Sequence, residues 1–416
     1  MTDQTTGMYT GPSSAVTRRD FLRLAGVGTL GLAGAALIGC GDDEDGASSA
    51  VGAVDGGGEL ESTRLRVGYL PITDASPLLL AHGKGIYAEE GLDAERPTLF
   101  RGWSPLAEAF QAKQVDVVHI LMPMAIWLRF SQEFPLKLVA WNHNGGSALT
   151  TRFEINSVEE LAGTTVAVPF WYSIHNTVLQ MLLREAGLTA ITQGDADASK
   201  GEVKLLVMSP PDMPPALSNN SIQGYIVADP FNAVAEVNNV GKVLRFVPDV
   251  WLDHACCVVV MHQDDVEQKP KWAQAVVNSI AKAQVFARDN RAEAALMLST
   301  EGEGYLPQPL PAIERALTHY DLDEYTASGA ITHPDWDTQR IDFQPFPFQS
   351  YTEELVRQMR ETVVEGDNSF LQDLDPTRVH KELIHDEFAR NAIKLVGGAS
   401  AFGIPESLTR DERIEI

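Results

Sequence analysis

Cysteine, basic residues and long apolar runs are all scarce in this chain of 416 residues. Three cysteines cannot build a disulfide framework. Only 32 Lys and Arg stand against 57 Asp and Glu, a net charge of −25. That balance excludes a nucleic-acid binder, because counterion release from phosphate needs a basic face. It equally excludes a peripheral protein held on anionic lipid by positive charge. No nucleophile elbow, Gly-rich phosphate loop or H-E-x-x-H spacing occurs, so the sequence carries no signal of catalysis. What is present is a folded composition, 44% hydrophobic and 21% charged, long enough for two or three units with real cores.

The N-terminus reads as an address. Arg18 and Arg19 precede an apolar run from Leu24 to Gly39 that is too short to span a bilayer, which takes about 20 residues. A charged start before a short apolar segment is the pattern of a secretory signal, and the arginine pair resembles its twin-arginine form. Leu37-Ile38-Gly39-Cys40 resembles a bacterial lipobox, which makes residues 1–39 a signal peptide and Cys40 the lipidated first residue of the mature protein. Residues 40–62 then read as an acidic, extended linker, since a segment of Gly, Ser, Ala and acids cannot offset its ordering entropy by burial. The expected location is the outer face of the cytoplasmic membrane, held by lipid alone.

From Leu65 onward, short apolar runs alternate with helical spacing. Strands are expected at Leu65 to Leu70, Asp93 to Leu99, Val115 to Ile120, Thr165 to Val168, Glu202 to Met208 and Gly224 to Ala228. Helices are expected after Ser76-Pro77 and Trp103-Ser104-Pro105, where Ser-Pro supplies a cap and a first-turn proline. Another is expected from about His175 to Ala186, and long ones from Pro270 to Asp289 and Tyr351 to Glu365. The alternation predicts an α/β protein of βαβ units around parallel sheets. A second unit starts near Ser157, and an apolar strand from Ala255 to Met261 returns to the first. The expected lobes are therefore residues 63–150 with 255–416, and residues 151–254.

Ligands of open α/β sheets bind beyond the carboxyl ends of the strands. Those ends carry Asp74 and Ser76, Trp103, Met122 and Met124, Tyr172, Ser173 and His175, and Asp229. Several are also helix N-termini, where free N–H groups favour an anion or polar acceptor. A metal is not expected. Cys256 and Cys257 fall within the returning strand, where neighbouring side chains point to opposite faces and cannot readily share an ion.

Six motifs in order carry a family likeness: Gly68-Tyr69-Leu70-Pro71-Ile72-Thr73-Asp74-Ala75-Ser76-Pro77, Gly85-Ile86-Tyr87-Ala88-Glu89-Glu90-Gly91-Leu92, Gly102-Trp103-Ser104, Met122-Pro123-Met124, Ile174-His175-Asn176 and Ala228-Asp229-Pro230-Phe231-Asn232-Ala233. Over roughly Leu65 to Ala389 the chain resembles substrate-binding proteins of ABC importers in the nitrate/sulfonate/taurine/bicarbonate group, above all the nitrate- and bicarbonate-binding lipoproteins. The resemblance implies a bilobed periplasmic-binding-protein fold of type II, with the cleft between two hinged lobes. It implies a monomeric receptor, no cofactor, no catalysis, and a permease and ATPase as separate chains. In that branch the residues matching Trp103 and His175 line the anion site. The glutamine usual before Met-Pro-Met is Leu121 here, and the basic residue that assists nitrate in the second lobe has no match around Glu236 to Asn239. Both departures argue against nitrate and for a larger, partly apolar solute. Asp74 and Asp229 are then available for an amine or for helix capping. Pyrimidine synthases of thiamine biosynthesis share the fold and supply the alternative reading, a pyrimidine-precursor binding protein or synthase.

Overall fold

The computed structural model describes residues 59–416; the twin-arginine segment, Cys40 and most of the acidic linker lie outside the described residues. The described part of the linker is not free chain: the Glu61 carboxylate accepts from the backbone N–H groups of Lys271 and Trp272 and so caps the helix Pro270–Asp289.

Two sheets form the frame. The first has five strands in the order Thr98–Leu99, Val67–Tyr69, Val117–Leu121, Cys257–His262, Leu136–Trp141. The second has six: Thr189–Ile191, Glu202–Val207, Thr165–Val168, Gly224–Ala228, Ser147–Thr151, Lys242–Phe246. Neither is purely parallel, which corrects the expectation from the alternating pattern. Cys257–His262 runs antiparallel to both its neighbours, and so does Ser147–Thr151. The reason lies in the connections. The other strands finish at the cleft, whereas these two begin there, directly after the chain has crossed between lobes, and must run the opposite way.

The crossings fall between Trp141 and Ser147 and between Phe246 and Cys257. Ser147–Thr151 thus already belongs to the second sheet. On the outward crossing, Asn144–Gly145 pairs with Ile341–Asp342. Gly145 and Gly146 both have positive φ, and a Cβ on Gly146 would lie 3.1 Å from Asp74 Oδ1 and 2.9 Å from Ile341 Cδ1. Glycine there lets the hinge pass against a buried carboxylate.

Beyond His262 the described chain is largely helical. Pro270–Asp289 packs between Ser76–Gly83 and Glu387–Leu395 on the first lobe. Leu310–Thr318 instead meets Phe231–Val237 of the second lobe, and Tyr325, Ala330 and Ile331 close a small core with Ala148, Val243 and Phe246. The C-terminal region therefore buttresses both sheets. No helix among the described residues is long and apolar enough to cross a membrane.

Candidate functional site

The turn Thr73–Ala75 follows the strand Val67–Tyr69 and leads into the helix Ser76–Gly83, where a helix was expected. The expected serine caps do not form: Ala75 is the N-cap here and Gly102 at Trp103–Gln111, with no side-chain cap at either. The turn lies at the lobe junction: the backbone N–H and hydroxyl of Thr73 both donate to the carbonyl of Asp229, at 2.8 and 3.0 Å. Asp74 is wholly buried, its Oδ2 3.0 Å from His143 Nε2 on the outward crossing. Asn142, next to that histidine, donates to the Asp74 carbonyl. Ser76 is occupied locally, donating to the Thr73 carbonyl at 2.5 Å.

The returning chain brings Cys256 and Cys257 to the same place, with their Sγ atoms 3.6 Å apart. The expected divergence of the two thiols is overturned. Strand structure begins only at Cys257, so Cys256 still lies in the crossing loop and alternation does not govern the pair. Cys257 N–H donates to His143 Nε2 at 3.1 Å. The second lobe contributes His175, in the first turn of Ile174–Glu185: its Nε2 is 2.9 Å from Ser147 Oγ and 3.8 Å from Cys256 Sγ. One donor atom from each of Asp74, His143, Cys256 and Cys257 lies within 4.8 Å of the others, and all four residues are buried.

Burial is the largest single influence on each group of the cluster, but neighbours overturn it at two of them. Burial lifts the Asp74 carboxyl to about 7, against the pull of His143. Burial by itself would depress His143, but the Asp74 carboxylate and Cys256 outweigh it and raise the imidazole to about 9. Burial would also raise Cys256, yet the Cys257 thiol and the two imidazoles bring it well below the ordinary thiol range. Cys257, buried against that sulfur, is pushed well above it. Several polar atoms here have no hydrogen-bond partner among the described residues: Asp74 Oδ1, Nδ1 of His143 and His175, both nitrogens of His119 and Nε2 of His254, while Asp74 Oδ2 has the His143 imidazole beside it.

The remaining expected residues divide around this junction. Ser173 caps Ile174–Glu185, accepting from Asn176 N–H at 3.1 Å. Tyr172 stacks on Trp127 of the first lobe, centroids 5.5 Å apart and planes within 15°, so an aromatic contact closes the lobes at the rim. Trp103 is buried at the start of Trp103–Gln111 beside a recess of about 280 Å³ lined also by Arg101, Phe170, Val207 and Pro210. A larger recess of about 410 Å³ beside Asn144, Arg288 and Arg410 touches none of the expected residues. Met122 and Met124 are buried in the first turn of Met122–Phe130, and Met122 N–H donates to the Cys256 carbonyl at 3.0 Å.

Asp229 is not available to a ligand amine. Its carboxylate accepts from Arg340 Nε at 2.6 Å and Nη2 at 3.0 Å, and from Ala233 N–H at 3.1 Å. Arg340 and His143 were not among the expected residues. Arg340 lies in a polar stretch without periodicity. For His143, the polar run Asn142-His143-Asn144 straight after an apolar strand is a signal that could have found it.

The profile of the NMT1-like family matches residues 58–299. The chain belongs to that family. Among curated proteins, it is 27% identical over 249 residues to the nitrate import ATP-binding protein NrtC of Synechocystis, covering 57% of this chain and 37% of that one. It is 25% identical over 247 residues to the nitrate/nitrite binding protein NrtA of Nostoc, covering 54% of each. The chain thus spans between about a third and a half of these relatives' lengths. The crystal structure of the periplasmic nitrate-binding protein NrtA from Synechocystis superposes with a TM-score of 0.68 at 18% identity, over 85% of this chain and 94% of that one. The fold is the α/β periplasmic-binding-protein fold, with its two mixed sheets as the two lobes.

Proposed function

We propose that this protein is the solute-binding component of an ABC importer, a binding protein rather than an enzyme. It takes a small anion or small organic solute of the nitrate/sulfonate/taurine/bicarbonate class into the cleft, closes about the hinge and hands the solute to a permease driven by a separate ATPase chain. Membership of the NMT1-like family, and likeness to proteins named for nitrate import and binding, support the class. The observation that carries the reading is the junction itself. Both lobes turn buried polar side chains toward it, and many lack partners, a rare condition in a folded protein unless something else satisfies them. In this reading Trp103, Tyr172 and His175 wall the solute site, and Asp229 serves as cap and ion-pair partner. Export through the twin-arginine route and a lipid anchor at Cys40 complete the proposal and keep the receptor beside its permease.

A thermal-shift screen of the full chain, run with a chelator present, tests it. The panel holds nitrate, nitrite, bicarbonate, taurine, alkyl and aryl sulfonates, and pyrimidines. At 100 times its dissociation constant a ligand adds about 2.7 kcal/mol. A stabilising solute whose effect is lost in Trp103→Ala and His175→Ala supports receptor and site together. Silence across the panel overturns the solute class.

A further inference from the structure

Where the chain crosses back from the second lobe, Asp74, His143, Cys256 and Cys257 meet in a combination that solute capture does not require. We propose that these four side chains form a site for a single thiophilic metal ion of the Zn²⁺ class at the root of the cleft. The inference goes beyond the solute reading and does not depend on it.

The donor set selects the ion. Two sulfurs, one imidazole nitrogen and one carboxylate oxygen suit a borderline-soft ion in four-coordination. Hard cations such as Ca²⁺ or Mg²⁺ ask for six or more oxygens, and this cluster offers a single carboxylate. The spacing agrees. With metal–sulfur bonds of about 2.3 Å and metal–nitrogen or –oxygen bonds of about 2.0 Å, a tetrahedron has edges of roughly 3.8 Å between sulfurs and roughly 3.3 Å between nitrogen and oxygen. The Cys256–Cys257 sulfurs are 3.6 Å apart, and Asp74 Oδ2 lies 3.0 Å from His143 Nε2. Adjustments of a few tenths of an ångström bring those two edges to metal-site values.

The frame around the donors is already held. Asn142 ties the outward crossing to the Asp74 carbonyl, Met122 N–H holds the Cys256 carbonyl, and Tyr351 OH donates to the Ala255 carbonyl. Three separate segments of chain are thus fixed around one point, the preorganisation a metal site needs. The buried Asp74 carboxylate, whose one polar side-chain neighbour within bonding distance is the His143 imidazole, gains a metal bond through one oxygen when the ion binds. His143 Nε2 would exchange the Cys257 N–H for the metal. His175, 3.8 Å from Cys256 Sγ and anchored on Ser147, stands where an outer partner of a ligating thiolate belongs.

The test uses the full chain, purified with reductant, stripped with chelator and checked by mass for free thiols. Co²⁺ is titrated by absorption and Zn²⁺ by competition with a chromophoric chelator. One equivalent of each is expected. The cobalt form should show thiolate-to-metal charge transfer and the intense visible bands of four-coordination, and Zn²⁺ should abolish both. The double variant Cys256→Ser/Cys257→Ser should lose the charge-transfer band and more than about 100-fold of the Zn²⁺ affinity, beyond the 10–100-fold typical of outer-shell changes. X-ray absorption on the zinc-loaded wild type should read two sulfur ligands, and it stands even if the variant fails to fold. Failure of the reduced wild type to bind, a first shell without sulfur, or undiminished binding by a folded double variant would each overturn the site. So would a Cys256–Cys257 disulfide that persists in the folded, reductant-treated protein.

Discussion

Arg340 bridges two buried acidic groups, and of the two Asp229 has no other charged partner among the described residues. The Arg340 side chain is 2% exposed; Asp229 is 0% and Glu236 8% exposed. Besides its paired bonds to Asp229, it donates from Nη1 to Glu236 Oε2 at 2.9 Å and to Tyr325 OH at 3.2 Å. Arg340→Met keeps most of the stem volume and removes the charge. Glu236 retains Arg315 and the Tyr325 hydroxyl, at 3.0 and 2.7 Å, but Asp229 keeps only its helix-cap contact. Breaking a buried pair from one side costs about 3–5 kcal/mol. At about 2.1 cal/mol/K per residue, the unfolding entropy of residues 59–416 is roughly 0.75 kcal/mol/K, so Tm should fall by about 4–7 °C. Adding Asp229→Asn removes the stranded charge, and the double variant should therefore recover about 2 kcal/mol relative to the sum of the singles. Urea unfolding of the four proteins, followed by circular dichroism, measures this. A loss below about 1 kcal/mol in Arg340→Met, or simple additivity in the cycle, would refute the reasoning.

The same network predicts an acid limb. Arg340, Arg315 and Tyr325 overcome burial and hold Glu236 at about 2, down from 4.5. A depressed carboxyl stabilises the fold above pH 4.5 and loses that contribution as pH falls toward 2. The expected loss is roughly 3 kcal/mol, absent in Glu236→Gln, and the pH dependence of the urea midpoint reads it. Ser173→Ala removes the cap of Ile174–Glu185 and should cost about 1–2 kcal/mol by chemical denaturation; an unchanged midpoint would mean that the cap does not form in solution. The Trp127–Tyr172 stack should show a coupling of about 0.5–1.5 kcal/mol in a Trp127→Leu/Tyr172→Leu cycle. Zero coupling would mean that the lobes do not touch at that rim.

Local structure was largely legible from residue order. The strands Thr165–Val168 and Gly224–Ala228 and the helix Pro270–Asp289 lie where apolar runs, prolines and turn residues put them, because those signals act within a turn or two of chain. Ser173, expected at the site, sits as the N-cap of Ile174–Glu185. Ser157 and Glu160 have the spacing of a capping box, yet the chain there makes only a short turn, Glu159–Leu161, in which Glu160 accepts from Asn156 N–H.

Family and lobed α/β architecture could be read from the sequence because each rests on local periodicity and on motifs in order. Strand direction was decided by where the chain crosses between lobes, which no periodicity records. The chemistry of the junction was decided the same way. Asp229 meets Arg340 across 111 residues of chain, and Cys257 meets His143 across 114. A buried charge or thiol is defined by its neighbours in space, and only the folded chain brings those neighbours together.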